Sequence, residues 1–331
     1  MYPLRFEPIF QRYLWGGRRL AEVLNKPIGD DTCAESWEIV DHNQHQSVVK
    51  FGELAGKSLH DLIEDAGASL LGDRVWKQIT DSSLPPQLQK RFPLLLKFLD
   101  ANKHLSVQVH PDDSYGATLD PPDLGKTEAW YVMHADDGAK IYAGLKAGVT
   151  KEQFREAVEN KQTEETLHSF SPKTGDCVFI RAGTMHAIGA GLLIAEIQQA
   201  SNTTFRVFDW NRVDKDGKPR DLHIEQSIKA TDFEMGPVSA VAAEPTDNPA
   251  AKTIVSDDKF VMRRWEISEP AQIKCEGSFH ILAVIDGSVD VDGDPSGEPV
   301  TLGNTVLIPA DCGSVSLRPN GSAQVLDIFV P

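Results

Sequence analysis

Apolar residues recur along this chain at two spacings, and the spacings divide it into blocks. Alternation typical of half-buried strands runs through "ESWEIVDHNQHQSVVKFGE" near the start. It resumes in "FPLLLKFLDA", "LSVQVH", "EAWYVMHA" and "AKIYAGL" between residues 92 and 145. Further strand signals are "CVFIRAGTMHAI", "GLLIAEIQQ" and "TTFRVFDW", then a run of short strands from Lys259 to the end. Two segments carry a helical period instead. "SLHDLIEDAGASLLGD" opens on a Ser cap and spaces Leu59, Leu62, Ile63 and Leu70 helically, predicting an insert over about 58–90, broken near its end by Pro85-Pro86. "TKEQFREAVENKQTEETLHSF" sets Phe154, Ala157 and Val158 on one side and predicts a second over about 150–170. After Met235, "GPVSAVAAEPTDNPAAK" has no period and reads as a linker. The expected organisation is a β domain with helical inserts over 1–235, a linker over 236–253, and a second β domain over 254–331.

The two β blocks share an internal repeat. Gly175-Asp-Cys-Val-Phe-Ile-Arg181-Ala-Gly183-Thr-Met-His186 aligns without gaps on Gly303-Asn-Thr-Val-Leu-Ile-Pro309-Ala-Asp311-Cys-Gly-Ser314. Each copy is a Gly turn, a short apolar strand and a second turn. The twelfth position is His186 in the first copy and Ser314 in the second, so a fold used twice would keep its chemistry in the first.

Composition narrows the functional classes. Apolar and charged fractions of 40% and 25% belong to an ordinary globular protein, and 331 residues exceed one compact core. A net charge of -16 argues against nucleic acid or an anionic membrane as the main partner; an anionic small molecule would need a local cluster of Lys and Arg. No apolar run approaches a membrane span, and the start "MYPLRFEPIF" lacks a signal-peptide core. Cys33, Cys177, Cys275 and Cys312 are scattered, without metal-ribbon or redox spacing. Free thiols without a leader are expected in the cytoplasm.

In "LSVQVHPDD", side chains two apart leave one strand face. Val107 and Val109 should pack on a core, while Ser106, Gln108 and His110 share the other face, ended by Pro-Asp-Asp. Glu128 opens the strand of "GKTEAWYVM", and His186 follows the glycine turn of "RAGTMHAIGAG". Two His and one Glu at strand edges are a usable set for a divalent metal; the same residues also suit a buried polar network. Lys126 lies two before Glu128 and should share its face. In "TTFRVFDW", Thr204, Arg206 and Phe208 share one face, and Phe205, Val207 and Asp209 the other. An Arg inside an apolar strand has either a structural salt bridge or an anion to bind beside the metal. Lys97 in "LLLKFLD" is a weaker candidate of the same kind. His104, His134, His168 and His223 have no comparable setting, and "GAGLL" lacks the spacing of a dinucleotide loop.

The blocks "PIFQRYLWGGRRL...ESWEIVDH", "FPLLLKFLDANKHLSVQVHPDD", "GKTEAWYVM" and "RAGTMHAIGAGLLIAEIQQASNTTFRVFDWNR" run collinearly from about Pro3 to Arg212. They resemble the type I mannose-6-phosphate isomerases, in their short bacterial form. The resemblance implies a mainly β fold of two cupin (jelly-roll-like) barrels, with helical insertions in the N-terminal half and no metal site in the C-terminal barrel. It puts the metal ligands on Gln108, His110, Glu128 and His186, a substrate-site Lys on Lys126 and an active-site Arg on Arg206, with Arg181 where the cupin signature usually has Pro. Asn202, where Asp is common, and "CAESWEI", in place of Gly-Glu-Ser-Trp, depart from the pattern without touching those positions. The implied reaction is an intramolecular oxidoreduction, interconverting mannose 6-phosphate and fructose 6-phosphate through an enediol(ate) with one divalent ion, expected to be zinc.

Metal-held imidazoles make poor bases, so Lys126 is the preferred proton-transfer residue: a nearby cation and partial burial favour its neutral amine. Arg206 does not readily serve as a base and is expected to bind the anion or stabilise the enediolate; which of Lys126 and Arg206 holds the phosphate and which serves the chemistry stays open. Lys126, Arg206 and Lys97 form the expected phosphosugar site. Two other classes use the same residues: a cupin Fe(II) dioxygenase, and a sugar-phosphate-binding protein without turnover.

Overall fold

The computed structural model describes residues 1–331 except Ser82 and residues 214–216. The protein is mainly β and its strands form three principal antiparallel sheets, of six, five and eight strands. The six-stranded sheet is central. Along Leu94–Ala101, Leu94, Leu96 and Phe98 enter the largest apolar core, while Leu99 and Ala101 enter a second core on the opposite face. Leu192–Gln199 and Glu128–Ala135 divide in the same way: Leu193, Ala195, Ile197, Ala129 and Tyr131 go to the first core, and Leu192, Ile194, Trp130 and Val132 to the second. Period-two alternation thus makes both faces apolar, and a polar residue in either stripe has a fixed direction.

One face of the central sheet looks at the five-stranded sheet, which carries Val107–Val109, His186–Ile188 and Phe205–Phe208. Val107 and Val109 pack away from the space between the sheets, in a cluster with Phe154, Phe205 and Val207. The other face meets the C-terminal sheet, whose strands supply Met262, Ile281, Leu326 and Ile328 to the shared core, joined by Phe260 and Phe279 just ahead of two of those strands. The amino terminus is laced to that sheet: Leu4 and Leu307 exchange both backbone hydrogen bonds, at 2.8 and 2.9 Å.

The first insert forms as expected at its start, where Ser58 and Asp61 make a reciprocal capping box for the helix Leu59–Leu71. Its break falls earlier than Pro85-Pro86. Gly72, at φ +88°, separates it from a second helix, Asp73–Ile79, and any Cβ there would meet the Gly277 carbonyl at 1.8 Å.

Several expectations need correcting. The second insert is not helical to residue 170: the helix is Lys151–Glu159, capped by Thr150, and Lys161 at φ +60° ends it. Residues Thr163–Thr166 form a 3-10 turn, and Leu167–Phe170 is a strand paired with Ile141–Leu145. The 236–253 segment is tied down rather than loose: Val238 N–H donates to the Ala143 carbonyl and Val241 N–H to Cys177, and the strand Ala251–Ser256 starts inside it. Nor are the C-terminal strands all short, since His280–Val291 and Ser314–Phe329 run through most of their sheet. Strand pairing gives stacked sheets; it draws no closed cylinder among the described residues.

Candidate active site

Register decides which side chains meet. Across the five-stranded sheet, Gln108 lies opposite Arg206 on one side and His186 on the other, so the three form a row. Across the facing sheet a second row is Lys97, Glu196 and Trp130, with Gln198 opposite Glu128. The two rows look at each other across a cavity of about 320 Å³, whose wall includes Lys97, Gln108, Lys126, Glu128, His186 and Arg206. His110 lies behind that wall, 1% exposed. All seven candidate residues are thus gathered at one place.

At its centre are His110, Glu128 and His186, each 1% exposed, with one potential ligand atom from each lying within 4.8 Å of the others. Glu128 Oε1 is 3.4 Å from His186 Nε2, and Oε2 is 3.6 Å from His110 Nε2. The other ring nitrogens are fixed by backbone: His110 Nδ1 is 2.9 Å from the Thr203 carbonyl and His186 Nδ1 2.9 Å from the Thr184 carbonyl. A carbonyl only accepts, so each Nδ1 carries the proton and each Nε2 presents its lone pair toward Glu128. Burial pushes both imidazoles toward the neutral form, His110 well below its usual value and His186 to about 4. Burial also drives the Glu128 carboxyl upward, against the pull of Lys126. Glu128 Oε2 is buried without a well-formed hydrogen bond. Two neutral imidazoles and a desolvated carboxylate converging in this way fit a divalent ion.

Lys126 precedes its strand rather than lying in it, yet its Nζ reaches the group, 3.0 Å from Glu128 Oε2 and 3.1 Å from His110 Nε2. Gln108 turns its amide nitrogen to His186 at 3.4 Å, and its oxygen accepts from the Ser106 hydroxyl at 3.1 Å. Arg206 makes no ion pair among the described residues: Nη1 donates to the Asp221 carbonyl at 3.0 Å, and Nε is buried without a partner. Burial first, then the nearby Arg220, lowers its pKa. The shared face expected for Arg206 and Phe208 does not survive, because a bulge between them sends Phe208 against the Val107 cluster. Lys97 is engaged, 3.0 Å from Glu196 and 3.6 Å from Glu35, and its pKa is raised: burial opposes the charge, but Glu196 and Glu35 outweigh it.

Other residues serve the site unannounced. Asp123 is buried beneath it and receives bonds from the hydroxyls of Ser201 (2.9 Å) and Thr203 (2.8 Å) and from Asn202 N–H (3.1 Å). It so fixes the loop whose Thr203 carbonyl orients His110. His223, expected to be ordinary, accepts the Arg206 backbone N–H at its Nδ1 and donates its own to the Arg206 carbonyl. Glu196 had the same signal as Arg206, a charge inside an apolar strand. Asp209 pairs with both Arg212 and Arg220 at the mouth.

Two facing antiparallel sheets with a buried two-histidine, one-carboxylate group and several basic side chains around one cavity define a cupin-type protein with a candidate metal centre. Residues 4–126 match the catalytic domain of phosphomannose isomerase type I, and residues 250–328 the mannose-6-phosphate isomerase cupin domain. Among curated relatives, the probable mannose-6-phosphate isomerase GmuF of Bacillus subtilis (strain 168) is 34% identical over 96% of each chain. The mannose-6-phosphate isomerase of Streptococcus mutans is 36% identical over 86% of this chain and 85% of that one. The crystal structure of the Bacillus subtilis mannose 6-phosphate isomerase covers 99% of both chains with a TM-score of 0.85 at 28% identity. The chain belongs to the type I mannose-6-phosphate isomerase family. No helix among the described residues is long and apolar enough to cross a membrane.

Proposed function

We propose that the protein interconverts mannose 6-phosphate and fructose 6-phosphate at the cavity between the two sheets. The observation that carries this reading is the convergence of His110, Glu128 and His186 with two unlike basic side chains, Lys126 and Arg206, at one cavity. His110, Glu128 and His186 would hold one divalent ion, with the Gln108 amide rotated to offer its oxygen as fourth donor. Zinc suits this donor set of two imidazoles, a carboxylate and an amide. Such an ion supplies Lewis acidity toward the sugar oxygens.

The chain's own groups carry the protons. Lys126 Nζ, as the amine, takes the proton from C2 of the open-chain aldose. The C–H electron pair becomes the C1–C2 double bond, and the carbonyl pair moves onto the C1 oxygen. The nitrogen then returns its proton to C1, while the C2 hydroxyl proton passes to the C1 oxygen and leaves the ketone at C2. Arg206, with a buried Nε to offer, holds the anionic end of the substrate or the charge developing on its oxygens. Lys97, already paired with two carboxylates, contributes a polar wall against the sugar hydroxyls rather than a free charge.

A coupled assay of mannose 6-phosphate conversion, before and after chelation, tests the reading. Turnover should vanish on chelation and return with zinc. Absence of product from freshly metallated protein would refute it, and iron-dependent oxygen uptake would favour the dioxygenase chemistry instead.

A further inference from the structure

The internal repeat can be followed through the strand registers, and it leads to a second cavity. Aligning Gly175–His186 on Gly303–Ser314 sets Ile180 against Ile308 and His186 against Ser314. Ile180 pairs with Glu128, and Ile308 with His280. Two residues on, Trp130 pairs with Glu196 and Leu282 with Asp327. Glu196 pairs with Lys97, and Asp327 with Arg263. On the far side His186 pairs with Gln108, and Ser314 with Lys274. The active-site positions Lys97, Gln108, Glu128 and Glu196 therefore have Arg263, Lys274, His280 and Asp327 as counterparts. Those four line a single cavity of about 490 Å³ in the C-terminal sheet, large enough for a small metabolite.

The duplication changed the chemistry of this pocket. Ser314 stands for a ligand histidine and the Lys274 ammonium for a ligand amide, which removes a cation's donors and puts a fixed positive charge among them. Asp327 is occupied, accepting from Trp265 Nε1 at 3.2 Å and lying 2.5 Å from His280 Nδ1. Arg263, Lys274 and Arg74 on the same cavity form no ion pair among the described residues, in a protein of net charge -16. Arg263 stacks over Phe329 at 4.8 Å with Nε buried and unpartnered, and Ser278, 4% exposed, also lines the cavity with an unpartnered hydroxyl. Asp247 and Glu276 also line the cavity, so its overall charge does not select an anion; the orphaned donors Arg263 Nε and Ser278 Oγ, with the unpaired cations, mark the part of its wall that suits an acceptor-rich group. We infer that the C-terminal cavity is a metal-independent binding site for a small phosphorylated molecule, held by Arg263, Lys274 and Ser278.

Calorimetric titration of the metallated full-length protein with sorbitol 6-phosphate, which has no carbonyl to isomerise, tests this. Two molecules should bind per chain, and inorganic phosphate should displace the C-terminal one. Lys274→Glu, at an exposed position that leaves folding intact, should weaken one event by about 10-fold or more while keeping isomerase turnover within about twofold; Arg263→Gln should do the same. Chelation should spare that event. A single event unaffected by Lys274→Glu, or a second event that phosphate does not displace, would overturn the inference. Because the readout is binding, it stands or falls separately from the isomerase assay.

Discussion

The segments that end at His186 and at Ser314 begin on the same glycine-strand frame and end in opposite chemistry. Each has a glycine in the left-handed region, Gly175 at φ +94° and Gly303 at φ +80°, and a four-residue strand, Cys177–Ile180 or Thr305–Ile308. In the first copy the next strand begins with an imidazole 1% exposed. In the second it begins with an exposed hydroxyl that donates to Gln272. The frame that positions a ligand is thus separable from the ligand: register fixes where a side chain points, and a few substitutions decide what it binds.

That separation can be attacked most strongly at the twelfth position itself. His186→Ala should abolish stoichiometric metal and lower turnover by about 10⁴-fold or more, while Ser314→Ala leaves both within about twofold. Metal analysis and the coupled assay on the two variants decide it, and equal effects would end the asymmetry. Lys126→Ala comes next, with turnover down about 10²- to 10⁴-fold at unchanged metal content. Loss of metal in this variant would instead make Lys126 a positioning residue.

A third test concerns the loop behind His110. Burial pushes the Asp123 carboxyl up, but His42, Thr203 and Ser201 outweigh it and hold it at about 2. A folded-state pKa below the unfolded one gives stability that is complete above about pH 4 and lost as pH falls toward 2. Asp123→Asn should therefore cost about 2 kcal/mol at neutral pH and flatten acid unfolding between those limits, as read by denaturant melts. The smallest effect is expected at the helical insert, which the C-terminal half lacks: Ser58→Ala should cost about 1 kcal/mol through the lost cap, with turnover unchanged.

Gln108 and His110 were legible because a period of two is local, and Arg206 because a charge in an apolar strand stands out. Glu196 carried the same signal, but its meaning depends on Lys97, a partner distant in sequence that only strand order brings alongside. Asp123 gave no signal at all, since the loop it anchors is defined by hydrogen bonds and not by pattern. The residues after Glu159 misled for a related reason. "TEETLHSF" is compatible with helix locally, and the pairing of Leu167–Phe170 with Ile141–Leu145 overrides it. The Phe208 bulge likewise breaks a face that alternation alone predicts.

The lacing of Leu4 to Leu307 has a consequence for biosynthesis. The central sheet's outer face is covered by side chains such as Phe279, Ile281 and Leu326, which leave the ribosome after the whole of that sheet. Until then, a nascent chain already holding every proposed catalytic residue exposes a broad apolar face and lacks a partner strand for its own first residues. The core cannot close until those residues have emerged, so chains truncated before them are expected to be captured by chaperones rather than to work as small isomerases.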